Sequence, residues 1–403
     1  MNKLFDKAKA LLNRQGESGL KYLINTSWVF AERILLLGTS FTVGIYVARF
    51  LGPTQFGTLA YALSFAQLFA ALANMGLDRI LVREFVNQPE SKDAIISTSF
   101  LLKLSGAIVA IALVALVTSG LGNDPTTILY IVIIASGNIL QAFSVLDAFF
   151  QSQVQAKYVA MARFWASLTA TGIKFALVMA QAPLVAFVII YGVEMSLFGL
   201  GLLLQYFRVH KHLWQWRPSK ALARTLMRDS WPLILGGFMI DFYSRIDRIM
   251  INEMLTATET GEYAVGIKLF ETISFLPVVL CTSLFPAILN ARKDDLKKYQ
   301  NRLQQLYSLM SASAWAVALG LSLTAAWLIP FLYGEEYQAG VLVLQIVAFT
   351  LVPISMGLAL SQYLIAENLV KIDMMRKLVG MVTNVSLNFY MIPRMGIVGA
   401  AWA

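Results

Sequence analysis

Apolar residues fill this chain in blocks about twenty residues long, broken by short polar segments. A helix crossing the hydrocarbon core of a bilayer needs about 20 such residues. The blocks therefore predict membrane spans near 24–48, 57–77, 94–118, 127–150, 158–181, 184–207, 230–252, 262–289, 305–332, 338–364 and 378–393. A twelfth begins at Met395, and the sequence stops at Ala403, so the expectation is that the rest of that span lies beyond Ala403. Inside the first block, polar or amphipathic positions recur every seven residues: Asn25, Glu32, Thr39 and Tyr46 on one line, with Thr26, Arg33 and Ser40 beside it. Seven residues is close to two helical turns, so these form one stripe turned away from lipid. It faces either a water-filled lumen or a neighbouring helix.

The polar segments alternate in charge. The N-terminal tail (Lys3, Lys7, Lys9, Arg14, Lys21) and segments 78–93, 152–158, 208–228, 290–304 and 366–377 hold most of the 32 basic residues. The intervening set holds only Arg49 and Arg394. Lys and Arg flanking spans are retained in the cytoplasm, so the pattern predicts an N-terminus inside and a multi-pass protein of the bacterial inner membrane. Composition agrees: 58% hydrophobic, 14% charged and a mean hydropathy of +0.66, against about 25% charged in soluble domains. The net charge of +9 follows from topology, not from nucleic-acid binding. Residues 1–21 lack the apolar core of a signal peptide. Leu4, Phe5, Ala8, Leu11 and Leu12 suggest either an amphipathic helix on the inner leaflet or a disordered tail. The single cysteine, Cys281, makes a cysteine-based metal site implausible. His210 and His212 sit beside Trp214 and Trp216, which read as an interfacial anchor.

Leu51-Gly-Pro-Thr-Gln-Phe-Gly57-Thr-Leu-Ala60 aligns with Leu255-Thr-Ala-Thr-Glu-Thr-Gly261-Glu-Tyr-Ala264 at Leu51/Leu255, Thr54/Thr258, Gly57/Gly261 and Ala60/Ala264. Each block is expected to be the outer loop after the first span of a six-span set. Six is even, so the halves keep one orientation and a pseudo-twofold along the membrane normal would relate them. The predicted fold is an all-α polytopic membrane protein of about 12 spans. Residues 1–207 form one six-helix bundle with the tail, 208–229 a basic linker and 230–403 a second, incomplete bundle. The ligand path is expected between the bundles.

No catalytic motif, nucleotide-binding loop or metal-ligand cluster is visible, so neither enzyme, cofactor nor metal is expected. What remains is a set of ionisable residues at membrane depth, each costing about 2.5–3.5 kcal/mol at a helix centre on insertion scales. Asp241, Arg245 and Arg248 fall at i, i+4 and i+7 on one face, where Asp241 can pair with Arg245. Asp247 points elsewhere and needs another partner. Two inward arginines suit phosphate or pyrophosphate; the alternative is an ion pair that sets helix register. Lys268 and Glu271 lie at i, i+3, Lys103 has no local partner, and Arg163 and Lys174 lie nearly on one face, with Arg163 free to snorkel. Arg33, Lys103, Lys174, Arg245, Arg248 and Lys268 are candidates for a substrate path, and Glu32, Asp241, Asp247 and Glu271 for ion coupling or pairing.

Arg49-Phe-Leu-Gly-Pro-Thr-Gln-Phe-Gly57 resembles the Arg-x-Leu-Gly-Pro-x-x-Phe/Tyr-Gly signature of polysaccharide-transport flippases, the O-antigen flippase (Wzx-type) group. In order along the chain, Gly76-Leu77 with Arg83-Glu84, Pro232-Leu233, Tyr243-Ser-Arg-Ile-Asp247, Gly261-Glu-Tyr-Ala264, Phe285-Pro286 and Gly396-Ile-Val-Gly-Ala-Ala401 also resemble that group. Its superfamily includes multidrug exporters and the lipid II flippase. The resemblance implies twelve helices and movement of an undecaprenyl-pyrophosphate-linked oligosaccharide to the outer leaflet by ion-coupled alternating access. It would serve O-antigen (lipopolysaccharide), capsule or exopolysaccharide assembly, with membrane lipid, a polysaccharide polymerase and chain-length proteins as partners. Arg49, Gly52, Pro53 and Gly57 carry the signature, with Arg49 bracing the turn. Two rivals stay open: a small-molecule exporter of the same superfamily, and a membrane-embedded glycosyltransferase or polymerase, for which the outer loops are too short.

Overall fold

The structure is a computed structural model that describes residues 36, 38–211, 214–294, 296–367 and 369–403. Among these there is no strand. In chain order the helices are α1 (38–68), α2 (Ala70–Asn74), α3 (Asp78–Asn87), α4 (Lys92–Gly120), α5 (Pro125–Gln141), α6 (Val145–Ser152), α7 (Ala156–Met179), α8 (Leu184–His210), α9 (Lys220–Met254), α10 (Ala257–Ile273), α11 (Phe275–Asp294), α12 (Leu296–Tyr333), α13 (Gly340–Ala348), α14 (Leu351–Ala366), α15 (Val370–Met395) and α16 (Ile397–Trp402). Six of the described helical stretches are long and apolar enough to cross a membrane, and α13 with α14, bent by 40°, would make a seventh. α7, α9 and α15 fall outside that set, and they are the helices that carry Lys174, Arg245 and Asp373.

The backbone groups into two compact units. The first holds Ala66–Phe238 with the described residues up to Val43, and the second holds Gly44–Phe65 with Met239–Ala403. Expected as contiguous halves, the units instead place 44–65 with the C-terminal helices and 230–238 with the N-terminal ones.

In the first unit, α5 and α8 meet through small residues. A Cβ on Gly137 would lie 2.3 Å from the carbonyl oxygen of Gly192, and one on Gly199 would lie 2.1 Å from that of Leu140. Such contact lets dispersion act where lipid leaves little hydrophobic drive between helices. Phe85, Leu146, Phe149, Phe150, Leu202 and Tyr206 build the buried core where α3, α6 and α8 converge. Arg83 on α3 donates to Asp229 on α9 at 2.8 Å. α5 starts at a cap: Asp124 accepts from the amides of Thr126 (3.1 Å) and Thr127 (3.0 Å), with Pro125 at the first helical position. The hydrogen bond from the Thr126 side chain leads the contacts that hold this carboxyl down at about 2. In the second unit, Cys281, Phe285, Tyr299, Leu306, Met310 and Ala359 form a core. Thr256 caps α10 by accepting from the Glu259 amide at 3.2 Å, and its hydroxyl donates to the Glu259 carboxylate at 2.9 Å.

The aligned blocks both lie in the second unit and pack against each other. Thr54 and Thr258, 204 residues apart, share a hydroxyl–hydroxyl bond of 2.8 Å. A Cβ on Gly57 would meet the Ala257 carbonyl oxygen at 1.7 Å, and one on Gly261 the Pro53 carbonyl oxygen at 2.1 Å. Equivalent residues that touch each other are what a twofold relation produces on its axis. Neither block is an open loop. Helical assignment runs through 49–56, with Gly52 alone left-handed (φ 68°), and α10 begins at Ala257. The N-terminal tail, Glu32, Arg33 and His212 lie outside the described residues.

Candidate functional site

The second unit brings together the charged residues expected on α9 and α10. Arg245 donates to Asp241 at 3.1 Å, one turn away on the same helix. Arg248 donates through Nη2 to Glu271 on α10 at 2.5 Å. Glu271, three residues after Lys268 on α10, is thereby tied across to α9. Asp247, which needed a partner, accepts from the Tyr263 hydroxyl at 3.0 Å and the Asn388 amide at 2.7 Å. Asn388 also donates to Asn384 on the same face of α15 at 3.3 Å. Asn388 is fully buried and its Oδ1 has no hydrogen-bond partner. The site is thus two guanidinium–carboxylate pairs beside a carboxylate held by neutral donors.

The first unit treats its cations differently. Lys103, expected in the substrate path without a partner, is 1% exposed and donates to Asp78 at 2.5 Å and Ser144 at 2.7 Å. Asp78 and Ser144, with Asp147 and Gln151, line a cleft of about 410 Å³. Lys174 donates to Glu194 at 2.5 Å and sits 3.7 Å from the centroid of the Tyr191 ring. Arg163 does not merely snorkel: it meets Asp147 at 3.3 Å and stacks over Phe198 at 4.5 Å. Of the signature residues, Arg49 is exposed, Gly52 makes the left-handed position before Pro53, and Gly57 is the close-contact glycine.

Sequence reasoning missed Tyr263, Asn384, Asn388, Asp78 and Ser144. Only Asn384 and Asn388 carried a signal, as polar residues at i, i+4 in an apolar run.

A family model described as "Polysaccharide biosynthesis protein" matches residues 23–292. Among curated proteins none matches. Among solved structures, an inward-facing multidrug resistance MATE family transporter of the MOP superfamily aligns with a TM-score of 0.70 at 13% identity, over 90% of this chain and 89% of that one. The lipid II flippase MurJ in an inward closed conformation aligns at 0.69 and 14% identity, over 94% and 84%. The MATE transporter VcmN of Vibrio cholerae, in its bent form, aligns at 0.56 and 13%, over 95% and 93%. At these identities the likeness is one of fold.

Proposed function

Since the chain belongs to the polysaccharide biosynthesis protein family, we propose that it is a flippase and not an enzyme. In this reading it carries an undecaprenyl-pyrophosphate-linked oligosaccharide from the cytoplasmic to the periplasmic leaflet of a bacterial inner membrane. The observation that supports this best is the arginine pair. Arg245 and Arg248 lie three residues apart, each beside a carboxylate on an incompletely buried side chain. A pyrophosphate can replace those carboxylates as acceptor, because a guanidinium offers planar paired donors and keeps its charge. The prenyl tail stays in lipid, while hydroxyls and amides such as Tyr263 and Asn384 suit a polar head group. Asp247, held by neutral donors, is our candidate for coupling to an ion gradient, and a polymerase and chain-length proteins for O antigen or a related polymer are the proposed partners. The rival reading, a small-molecule exporter of the same superfamily, favours carboxylates over arginines, whereas Asp241 and Glu271 are each paired with an arginine.

The test is translocation of a labelled polyprenyl-pyrophosphate sugar in reconstituted vesicles. Arg245→Ala and Arg248→Ala are expected to stop it with the protein still in the membrane, and Arg→Lys to restore it in part. Normal flipping in both alanine variants makes these arginines structural. The orientation has its own check: a reporter after Gly122 is expected to read periplasmic and one at Lys220 cytoplasmic.

A further inference from the structure

The segment between α8 and α9 is pinned across α4 in the first unit. Ser97 Oγ accepts from the Arg217 amide at 3.2 Å, and Thr98 Oγ1 accepts from the Ser219 amide at 3.0 Å. Both hydroxyls are buried, so these bonds satisfy them. Ser97 follows Lys92, the first residue of α4, by five positions, about 8 Å along the helix. α4 belongs to a stretch long and apolar enough to cross a membrane. The pinned segment therefore lies near the end of that stretch, at the depth of the lipid headgroups. Charge patterning assigns this end to the cytoplasm.

The two tryptophans expected as an anchor part company here. Trp214 packs inward, edge to face with Tyr206 at 5.7 Å. Trp216 is 55% exposed beside Phe100, where an amphipathic indole suits the membrane interface. Around it Arg208, Lys211, Arg217, Lys220, Arg224 and Arg228 are all exposed, and 208–228 holds no acidic residue. Lys220, Arg224 and Arg228 recur every fourth residue of α9 and so share one face. The opposite face is buried: Leu226 and Leu222 join the core where α3, α6 and α8 converge. Packing thus holds the basic face outward. Arg228 meets Asp229 only at 3.7 Å, and that carboxylate is already held by Arg83 at 2.8 Å.

We infer that Arg217, Lys220 and Arg224, beside Trp216, form a docking surface for anionic phospholipid headgroups of the inner leaflet. Basic side chains at that depth meet lipid phosphates, and a cluster with no acid in its segment favours lipids of net negative charge, such as phosphatidylglycerol. A zwitterionic headgroup brings its own cation with each phosphate and gains less. The surface ties one end of the helix that carries Arg245 and Arg248 to the leaflet. The inference rests on the orientation read from loop charge and not on what the protein carries.

The test is native mass spectrometry of the full chain released from nanodiscs of mixed phosphatidylcholine and phosphatidylglycerol. Wild type is expected to retain phosphatidylglycerol in preference. Arg217→Gln, Lys220→Gln and Arg224→Gln together are expected to lower that preference at least about tenfold, since each basic residue near an anionic surface contributes about fivefold. Lys297→Gln, Lys298→Gln and Arg302→Gln remove the same charge from α12 and are expected to lower it much less. Ser97→Ala with Thr98→Val keeps every charge but frees the segment from α4, and is expected to lower the preference as well. Equal retention of both lipids by wild type, equal loss in the two triple variants, or an unchanged preference in the Ser97–Thr98 variant overturns the inference. Displacement by inorganic phosphate at constant ionic strength also overturns it, by assigning the surface to a free anion. No readout depends on translocation, so a failure here is distinct from a failure to flip.

Discussion

Lys103 in the first unit and Arg248 in the second each hold a carboxylate oxygen at 2.5 Å, yet they sit in opposite surroundings. The Lys103 side chain is 1% exposed, and its carboxylate partner Asp78 is 66% exposed. Arg248 is 15% exposed and its partner Glu271 45%. The ammonium has three donors, of which Asp78 and Ser144 take two. It closes a contact between α3, α4 and the turn before α6. The guanidinium has five donors in a fixed fork and engages Glu271 through Nη2. A cation buried to 1% exposure acts as a clamp; a guanidinium that keeps part of its fork at the surface is suited to a ligand.

The largest effect should come from stranding the clamp. Asp78→Asn removes the negative charge facing a buried ammonium and leaves it only neutral acceptors, the Ser144 hydroxyl and the new carboxamide oxygen; with position 78 open to solvent, the loss is about 1.5–3 kcal/mol. Thermal melting of the purified protein should show it as a large drop. A wild-type melting curve would break the comparison, because Lys103 would then be no clamp. Smaller is the effect of shape. Lys103→Arg keeps the charge but overfills a buried site, at about 1–3 kcal/mol. Wild-type stability in that variant would show that the site has slack and that only charge matters. Smallest is the effect of Arg248→Ala on folding. Glu271 is half exposed, so the pair is worth about 1 kcal/mol or less after screening. Its melting point should stay near wild type while flipping is lost. A folding defect as deep as that of Asp78→Asn would make Arg248 a clamp as well.

Contacts within a helix were legible and contacts between helices were not. Asp241 and Arg245, four residues apart, pair as their spacing requires. Asp78 lies 25 residues from Lys103 and Glu271 23 from Arg248, and Asp247 is held from 16 and 141 residues away by Tyr263 and Asn388, all on other helices. Nothing in local spacing selects Asp78 over another carboxylate for Lys103. The region 49–56 read as an open loop because Gly52-Pro53 breaks a helix in most settings. Here one left-handed residue is enough, and helical assignment resumes at once.

By itself the sequence determined the apolar blocks, the charge pattern between them, the all-helical class and the two related blocks at Leu51 and Leu255. Each of these depends on composition or on separations of a few residues, which helix geometry and bilayer thickness translate directly. Only the tertiary structure decided that the related blocks touch, Gly57 against Gly261 and Thr54 against Thr258, and that 44–65 joins the C-terminal helices. It alone decided that Lys103 is buried while Arg248 keeps 15% of its side chain exposed. A side chain's charge is written in the chain, but the cost of burying it is settled by the atoms that packing brings around it.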